Sequence, residues 1–207
     1  MHRILRMLRD FLFGRPKLPA LEEETYPRDA AGRPDLKRFT RPLAHYTGYI
    51  DEYLVSLGTS GPTDPAWQSF AYRKSVLGQW GIIARGPSQA LPYVLRLLTN
   101  PIPEGRSAAA GILDAWAADI TLVPRLIGAL ENEDDIETLS ILAGTLGRLG
   151  ARAALPRLAE LLRSPNSDHG DLSGSMIEAV SAIAREDFTA DADPKRAADQ
   201  WLREQGY

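Results

Sequence analysis

Residues capable of acid–base or metal chemistry are few in this sequence and lie far apart. The 207 residues include three histidines, His2, His45 and His169, and no cysteine, which excludes zinc–thiolate sites, iron–sulfur clusters and a cysteine nucleophile. His169 lies in the segment 167–171, where two carboxylates and an imidazole are donors that a metal ion could use. Such polar residues also favour turns between helices. We therefore predict turn chemistry there, with no metal site, no cofactor and no catalytic residue.

An acidic cluster offers a second kind of chemistry, the attraction of a basic partner. Its charged members are Glu131, Glu133, Asp134, Asp135 and Glu137. Acidic side chains in the first turn of a helix interact favourably with the helix dipole, each by about 0.3–1 kcal/mol. We interpret the cluster mainly as the start of a helix, and binding to a basic partner is the alternative.

One column of mostly positive residues directly follows prolines. We call it the ridge, and its members are Tyr93, Arg125, Arg157 and Lys195. Arg96 extends its positive character. Because a cation in the first turn of a helix opposes the helix dipole, local helix stability does not explain these residues. We hypothesise that the ridge contacts an acidic surface of a partner protein, and the alternative is a solvated face whose long side chains cover apolar surface.

The prolines in front of the ridge recur at a fixed interval. Pro92, Pro124 and Pro156 are 32 residues apart each time, and apolar columns around them keep the same step. Proline costs little in the first turn of a helix, because its missing N–H would have no partner within the helix. Each proline therefore predicts the start of a helix.

A second helix is predicted before each of these. Gly78, Gly111 and Gly144 are 33 residues apart, and apolar columns follow them in register, with Trp80 and Trp116 among the expected core residues. Glycine within a helix costs about 1 kcal/mol relative to alanine. Three glycines in register therefore indicate close approach of neighbouring helix backbones. The repeating unit is a helix–turn–helix, which must stack on its neighbours to bury its apolar face.

The pattern Ala-Leu-Pro-x-Leu-x-x-Leu-Leu, preceded by a helix rich in small residues, resembles bacterial HEAT-like repeats, including the phycobilisome-lyase type. The resemblance covers roughly residues 66–207. It implies an all-α fold, a right-handed α-solenoid of HEAT-like helix–turn–helix repeats with an N-terminal capping helix. The solenoid is predicted over 41–207, with the capping helix at 41–58 and repeats at about 66–99, 104–131, 136–163 and 173–204.

The N-terminal part is predicted to lie outside the repeats. Residues 1–13 form a basic amphipathic pattern that predicts a helix, which docks either on the protein's own body or on a membrane surface or partner. Residues 14–40 are rich in proline and predict an extended connector. No apolar run approaches the length of roughly 20 residues that a membrane-spanning helix needs, so we predict a cytoplasmic protein without a membrane span.

Composition narrows the function but does not identify it. The formal charge of −3 disfavours a general affinity for nucleic acid. We predict a non-enzymatic protein–protein interaction module that binds a partner on its concave surface, possible examples being a bacterial immunity protein or adaptor. The resemblance leaves open a chromophore-lyase-like protein or another HEAT-like enzyme, and a DNA-binding or repair solenoid.

Overall fold

The fold is helical wherever it is described. The computed structural model describes residue 29 and residues 33–58, 65–116, 120–164 and 172–207. Those residues form α-helices and short 3₁₀ turns without a β-strand, which confirms the all-α prediction for this part of the chain. None of the helices found there is long and apolar enough to cross a membrane. The predicted N-terminal helix at 1–13 lies outside the described residues, as does most of the connector.

The α-helices follow one another through short connections. Their bounds are α1 Leu43–Gly58, α2 Pro65–Arg85, α3 Pro87–Leu97, α4 Pro103–Ala115, α5 Val123–Glu131, α6 Ile136–Arg148, α7 Leu155–Arg163, α8 Leu172–Ala184 and α9 Pro194–Glu204. The even-numbered helices from α2 onwards begin within one residue of the starts of the four predicted repeat ranges. The chain divides into two compact units, Met1–Gly81 and Ile82–Tyr207, and the boundary falls within α2.

Within the first unit, α1 and α2 approach each other closely. Tyr46 and Ile50 of α1 are buried. A Cβ atom on Gly78 would lie 2.7 Å from the carbonyl oxygen of Tyr46, and one on Gly81 would overlap the Tyr46 ring. Real side chains do not reach such distances, so glycine is required at both positions. The predicted close approach at Gly78 is confirmed.

The second unit is built from helices that pack in sequence order. The first helices of successive pairs lie against one another, α4 on α6 and α6 on α8, while α5 packs on α6 and α7 packs on α8. Helix α9 closes this part of the chain by packing on α7 and α8. The core between these helices is aliphatic, and its fully buried side chains include Leu113, Leu126, Leu142, Leu146 and Leu158.

Trp116 belongs to this core, as predicted. Its side chain is buried, and its indole N–H donates a hydrogen bond to the carbonyl oxygen of Ile83 at 3.3 Å. A buried tryptophan usually finds such a partner, because the unpaired N–H would otherwise lose its hydration without compensation. Trp80, which was expected in the same column, is only half-buried.

The glycines of α6 correct one prediction. A Cβ atom on Gly144 would meet only the Arg148 guanidinium, at 3.6 Å, so the close approach expected there is wrong. Gly147, one turn further along, provides it instead. A Cβ atom on Gly147 would lie 2.8 Å from the Cα atom of Ala179 in α8. The contact with α8 is therefore made by the face of α6 that carries Gly147, and Gly144 lies outside it.

The prediction that a proline marks the start of a helix is confirmed in two of the three repeats. Pro124 and Pro156 lie in the first turns of α5 and α7, each after a 3₁₀ turn, as predicted. Pro92 lies inside α3, so the predicted helix start at this position is wrong. Here Pro87 takes the first helical position, and the residues before Pro92 are already α-helical. Pro92 therefore leaves the helix without one internal hydrogen bond, which proline cannot donate.

Candidate functional site

A cleft lies between α3 and α5, which do not pack closely against each other in the described chain. Its volume is about 590 Å³. Leu95 and Leu98 line it on the side of α3, and Pro124, Gly128 and Ala129 line it on the side of α5. A Cβ atom on Gly128 would meet no other atom within 4 Å, so this glycine faces open space. The cleft thus has apolar side chains on both sides, polar lining residues such as Thr99 and Asn132, and no side chain at Gly128.

The polar end of the cleft is formed by a buried ion pair. Arg106 of α4 binds Glu133, which lies between α5 and α6, in a bidentate manner, with Nε–Oε2 at 2.8 Å and Nη2–Oε1 at 2.7 Å. The Glu133 side chain is only 3% exposed and that of Arg106 is 16% exposed. The planar guanidinium matches both carboxylate oxygens, which makes this a strong form of charge-assisted hydrogen bonding.

Both partners of this pair make further hydrogen bonds to loops. Arg106 Nη1 donates to the carbonyl oxygen of Asn100 at 3.1 Å, and Nη2 also reaches Asp134 Oδ1 at 3.0 Å. Glu133 Oε1 accepts the backbone N–H groups of Asp134 and Asp135 at 3.0 and 2.9 Å. The pair therefore fixes the α3–α4 and α5–α6 connections at the end of the cleft.

The environment of the pair shifts both protonation equilibria toward the charged forms. Burial by itself raises the pKa of Glu133, but the hydrogen bonds from Arg106 and from the backbone N–H groups of Asp135 and Asp134 outweigh it, so the pKa lies below its ordinary value. The hydrogen bond to Glu133 raises the pKa of Arg106 above its ordinary value against the opposing effect of burial. The pair is ionised at neutral pH.

The acidic cluster is divided between two roles. Asp135 is the N-cap of α6, where its Oδ1 accepts the backbone N–H of Thr138 at 2.9 Å, and Glu137 lies in the first turn. The helix-start interpretation is confirmed for these two residues. Glu133 is different, because sequence reasoning did not anticipate its burial or its arginine partner. The available signal was Arg106 itself, a cation in the first turn of α4 that local helix stability does not explain.

Arg125 of the ridge lies at the cleft and is exposed. Within the described chain, its guanidinium makes neither a hydrogen bond nor an ion pair. Arg157 is half-buried, and its guanidinium makes hydrogen bonds and an ion pair. Its Nε and Nη2 donate to the carbonyl oxygens of Leu130 and Glu133 at 3.3 and 3.4 Å, and Nη1 pairs with Glu160 at 2.8 Å. These two arginines follow equivalent prolines and have different surroundings.

The remaining ridge residues also differ from one another. Tyr93 is buried, with 9% of its surface exposed. The exposed Arg96 lies with its guanidinium carbon 5.5 Å from the centre of the Tyr93 ring, in cation–π geometry. Lys195 is half-buried in the first turn of α9. Of the predicted contact residues, Arg125 and Arg96 therefore present the most accessible positive charge.

A second cleft, of about 730 Å³, lies beside α7 near Tyr207. Its arginine is already engaged, because Arg163 Nε binds Asp199 Oδ1 at 2.5 Å and Nη2 binds the Tyr207 carbonyl oxygen at 3.0 Å. Burial by itself raises the pKa of Asp199, but the hydrogen bonds from Arg203 and Arg163 outweigh it, so the pKa lies below its ordinary value. The α3–α5 cleft is the stronger candidate because it combines apolar side chains with the charge of Arg125, which makes no hydrogen bond or ion pair within the described ranges.

The structure describes some of the residues in the histidine and metal predictions. His45 is half-buried, its Nε2 lies 2.9 Å from Arg41 Nη1, and its ring lies 4.5 Å from that of Tyr49. The segment 167–171 lies outside the described residues. Within the described ranges, no group of three or more histidine and acidic side chains is arranged to hold a metal ion.

Comparison with known proteins does not identify a family. No family model, no curated protein and no solved structure matches the chain. The resemblance to HEAT-like repeats therefore stays a prediction. Conclusions about function depend on the helices and the cleft themselves.

Proposed function

We propose that the chain is a HEAT-like α-solenoid that acts as a non-catalytic interaction module and binds an acidic surface of a partner protein. Four successive helix pairs support the repeat architecture, together with the packing of α4, α6 and α8 in sequence order. A stack of such pairs exposes its second helices on one continuous surface, the kind of surface that repeat proteins use for binding.

The observation that carries the proposal is the exposure of Arg125 and its position at the cleft. Its guanidinium is exposed, makes no hydrogen bond or ion pair within the described residues, and lies at a cleft that also presents the apolar side chains of Leu95 and Leu98. Arginine is enriched at the energetic centres of protein interfaces, because it forms bidentate bonds and also packs through its stem. The partner is expected to be a cytoplasmic protein, and immunity or adaptor roles suit a module of this kind.

The test is quantitative capture from an extract of the cells that produce the protein, with the wild type and Arg125→Glu as baits. The matched control is Arg152→Glu, which makes the same charge change at another exposed arginine. We expect one protein to be retained by the wild type and the control and to be reduced about tenfold by Arg125→Glu, which corresponds to the loss of one charge-assisted contact.

Other retained molecules would point to other functions. If the wild type retains only nucleic acid, with binding that falls steeply as salt rises, the chain is a nucleic-acid solenoid. If it retains a pigment and its visible spectrum shifts, the lyase-like alternative takes precedence. Equal retention of the same protein by both baits would move the contact surface away from Arg125 and overturn the proposal in this form.

A further inference from the structure

We propose that the α3–α5 cleft is a peptide site that takes a short acidic segment of the partner, with an apolar side chain inside the cleft and a neighbouring carboxylate on Arg125. This inference rests on the proposed function and makes it specific. It names the part of the partner that is bound and the part of this chain that binds it.

The first step is the charge of the cleft. Glu133 is a carboxylate in the cleft wall, but Arg106 already neutralises it through two hydrogen bonds. Arg125 has no such partner within the described residues. Among the lining residues, Arg125 therefore carries the charge that stays unpaired within the described part of the chain, and it favours a carboxylate over a cation.

The second step is the pattern of hydrogen-bonding groups. The Asn132 amide nitrogen donates to the Gly128 carbonyl oxygen at 2.7 Å, so its Oδ1 is the atom left to accept a hydrogen bond. The Thr99 hydroxyl donates to the Arg96 carbonyl oxygen at 3.1 Å, which leaves the lone pairs of its oxygen as acceptors. Two acceptors and one arginine suit a chain that offers backbone N–H groups and a carboxylate.

The third step is size and polarity. A volume of about 590 Å³ lies within the range of roughly 300–1,000 Å³ found for sites that enclose a small ligand or a few side chains. Leu95, Leu98 and Pro124 supply apolar contact, and the space over Gly128 is empty. An apolar side chain of the partner fits that space, where burial of its surface would contribute to affinity.

The fourth step separates a peptide from a nucleic acid. A phosphate backbone is usually held by several positive groups. Here Asp134, whose side chain is 94% exposed, pairs with Arg106 at the end of the cleft and adds a negative charge there, which disfavours a row of phosphates. One carboxylate on an otherwise apolar segment meets these constraints better than a row of phosphates.

The experiment uses a random-peptide display library selected against the full chain, and the dominant peptide is then synthesised and titrated by fluorescence anisotropy. We expect selected peptides to place Asp or Glu beside Leu, Ile, Met or Phe. Gly128→Leu fills the cleft and leaves every charge in place, and Arg125→Gln removes the charge and leaves the cleft open. Each should weaken binding of the synthetic peptide about tenfold or more.

The matched control is Gly48→Leu, because Gly48 is also a glycine within a helix whose Cβ would meet nothing within 4 Å. We expect it to bind the peptide like the wild type. Thermal melting of each variant shows whether it is folded. Normal melting of Gly128→Leu together with lost binding supports the cleft as the site.

Three outcomes would overturn the peptide site. These are a library that yields no binder, selected peptides without a carboxylate, and peptides that bind Gly128→Leu as tightly as the wild type. They are distinguishable from failure of the interaction module itself. If Arg125→Glu still abolishes capture of the partner while Gly128→Leu does not, the module stands and its partner docks outside the cleft.

Discussion

The α6–α8 contact and the α3–α5 cleft use the same residue type for opposite purposes. At the contact, Gly147 allows α6 and α8 to touch, since a Cβ atom there would lie 2.8 Å from the Cα atom of Ala179. At the cleft, Gly128 faces open space, so no side chain of α5 projects into the cleft at this position. The difference shows that a glycine can allow two helices to touch at one place and can leave an open space next to a helix at another.

The two regions also differ in what stabilises them. The α6–α8 contact depends on shape, because its surroundings are fully buried aliphatic side chains such as Leu142 and Val180. The end of the cleft depends on the ionised pair of Arg106 and Glu133 and on the loops that they fix. Substitutions that change charge should therefore alter the stability of the cleft end, and substitutions that change side-chain volume should alter the stability of the α6–α8 contact.

The largest effect is expected from Glu133→Gln, which removes the buried negative charge and leaves Arg106 with the exposed Asp134 as its charged partner. Breaking a buried ion pair from one side costs about 3–5 kcal/mol, and we expect the lower end because water can reach part of Arg106. Urea denaturation measures the loss in the free energy of unfolding. Glu131→Gln, at an exposed neighbouring position, is the control and should change stability by less than about 0.5 kcal/mol.

Gly147→Val should give the next largest effect. The added side chain would overlap α8 unless the two helices move apart, and overpacking of this kind typically costs about 1–3 kcal/mol. Gly144→Ala in the same helix is the control, since its Cβ would meet only the flexible Arg148 side chain at 3.6 Å. Equal melting temperatures for Gly147→Val and the wild type would contradict the assigned contact.

Lowering the pH should change the stability of the cleft end and leave that of the α6–α8 contact unchanged. The pKa of Glu133 is lower in the folded chain than in the unfolded one, so its stabilisation is complete above the ordinary glutamate pKa of about 4.3 and is lost as the pH falls through the lower folded value. The penalty of Glu133→Gln should therefore shrink on acidification. The penalty of Gly147→Val should stay constant, which urea titrations at a series of pH values would measure.

The smallest effect is expected from Gly128→Ala, and its sign is opposite. No atom obstructs the new methyl group, while alanine favours the helix by about 0.5–1 kcal/mol relative to glycine. Thermal unfolding should show a slightly raised midpoint. A lowered midpoint would mean that the space over Gly128 is filled in solution.

Much of the helical organisation follows from sequence periodicity, and its exceptions are local. Pro124 and Pro156 lie at helix starts, each directly after a 3₁₀ turn. Pro92 does not, because Pro87 provides an earlier start that suits the first helical position equally well. Both prolines are acceptable in the first turn of a helix, so the repeat spacing alone does not reveal which of them begins α3.

The cleft was less accessible to prediction than the helices. Arg125 could be named from its place after Pro124, but Arg157, at the equivalent place, donates hydrogen bonds to the carbonyl oxygens of Leu130 in α5 and Glu133 in the α5–α6 connection. The Arg106–Glu133 pair joins residues 27 positions apart, so no helical or turn spacing reveals it. Local rules identify which residues start a helix, whereas tertiary packing decides which charges remain accessible.

Arg157 connects two successive helix pairs through its hydrogen bonds. Its guanidinium, carried by α7, donates hydrogen bonds to the carbonyl oxygens of Leu130 in the last turn of α5 and of Glu133 in the connection that follows α5. When α7 opens locally, those carbonyl groups lose their donors, and the last turn of α5 becomes easier to open as well. Exchange of the amide hydrogens in these two helices is therefore expected to be correlated, so a disturbance at one helix pair is passed to the preceding one through a single side chain.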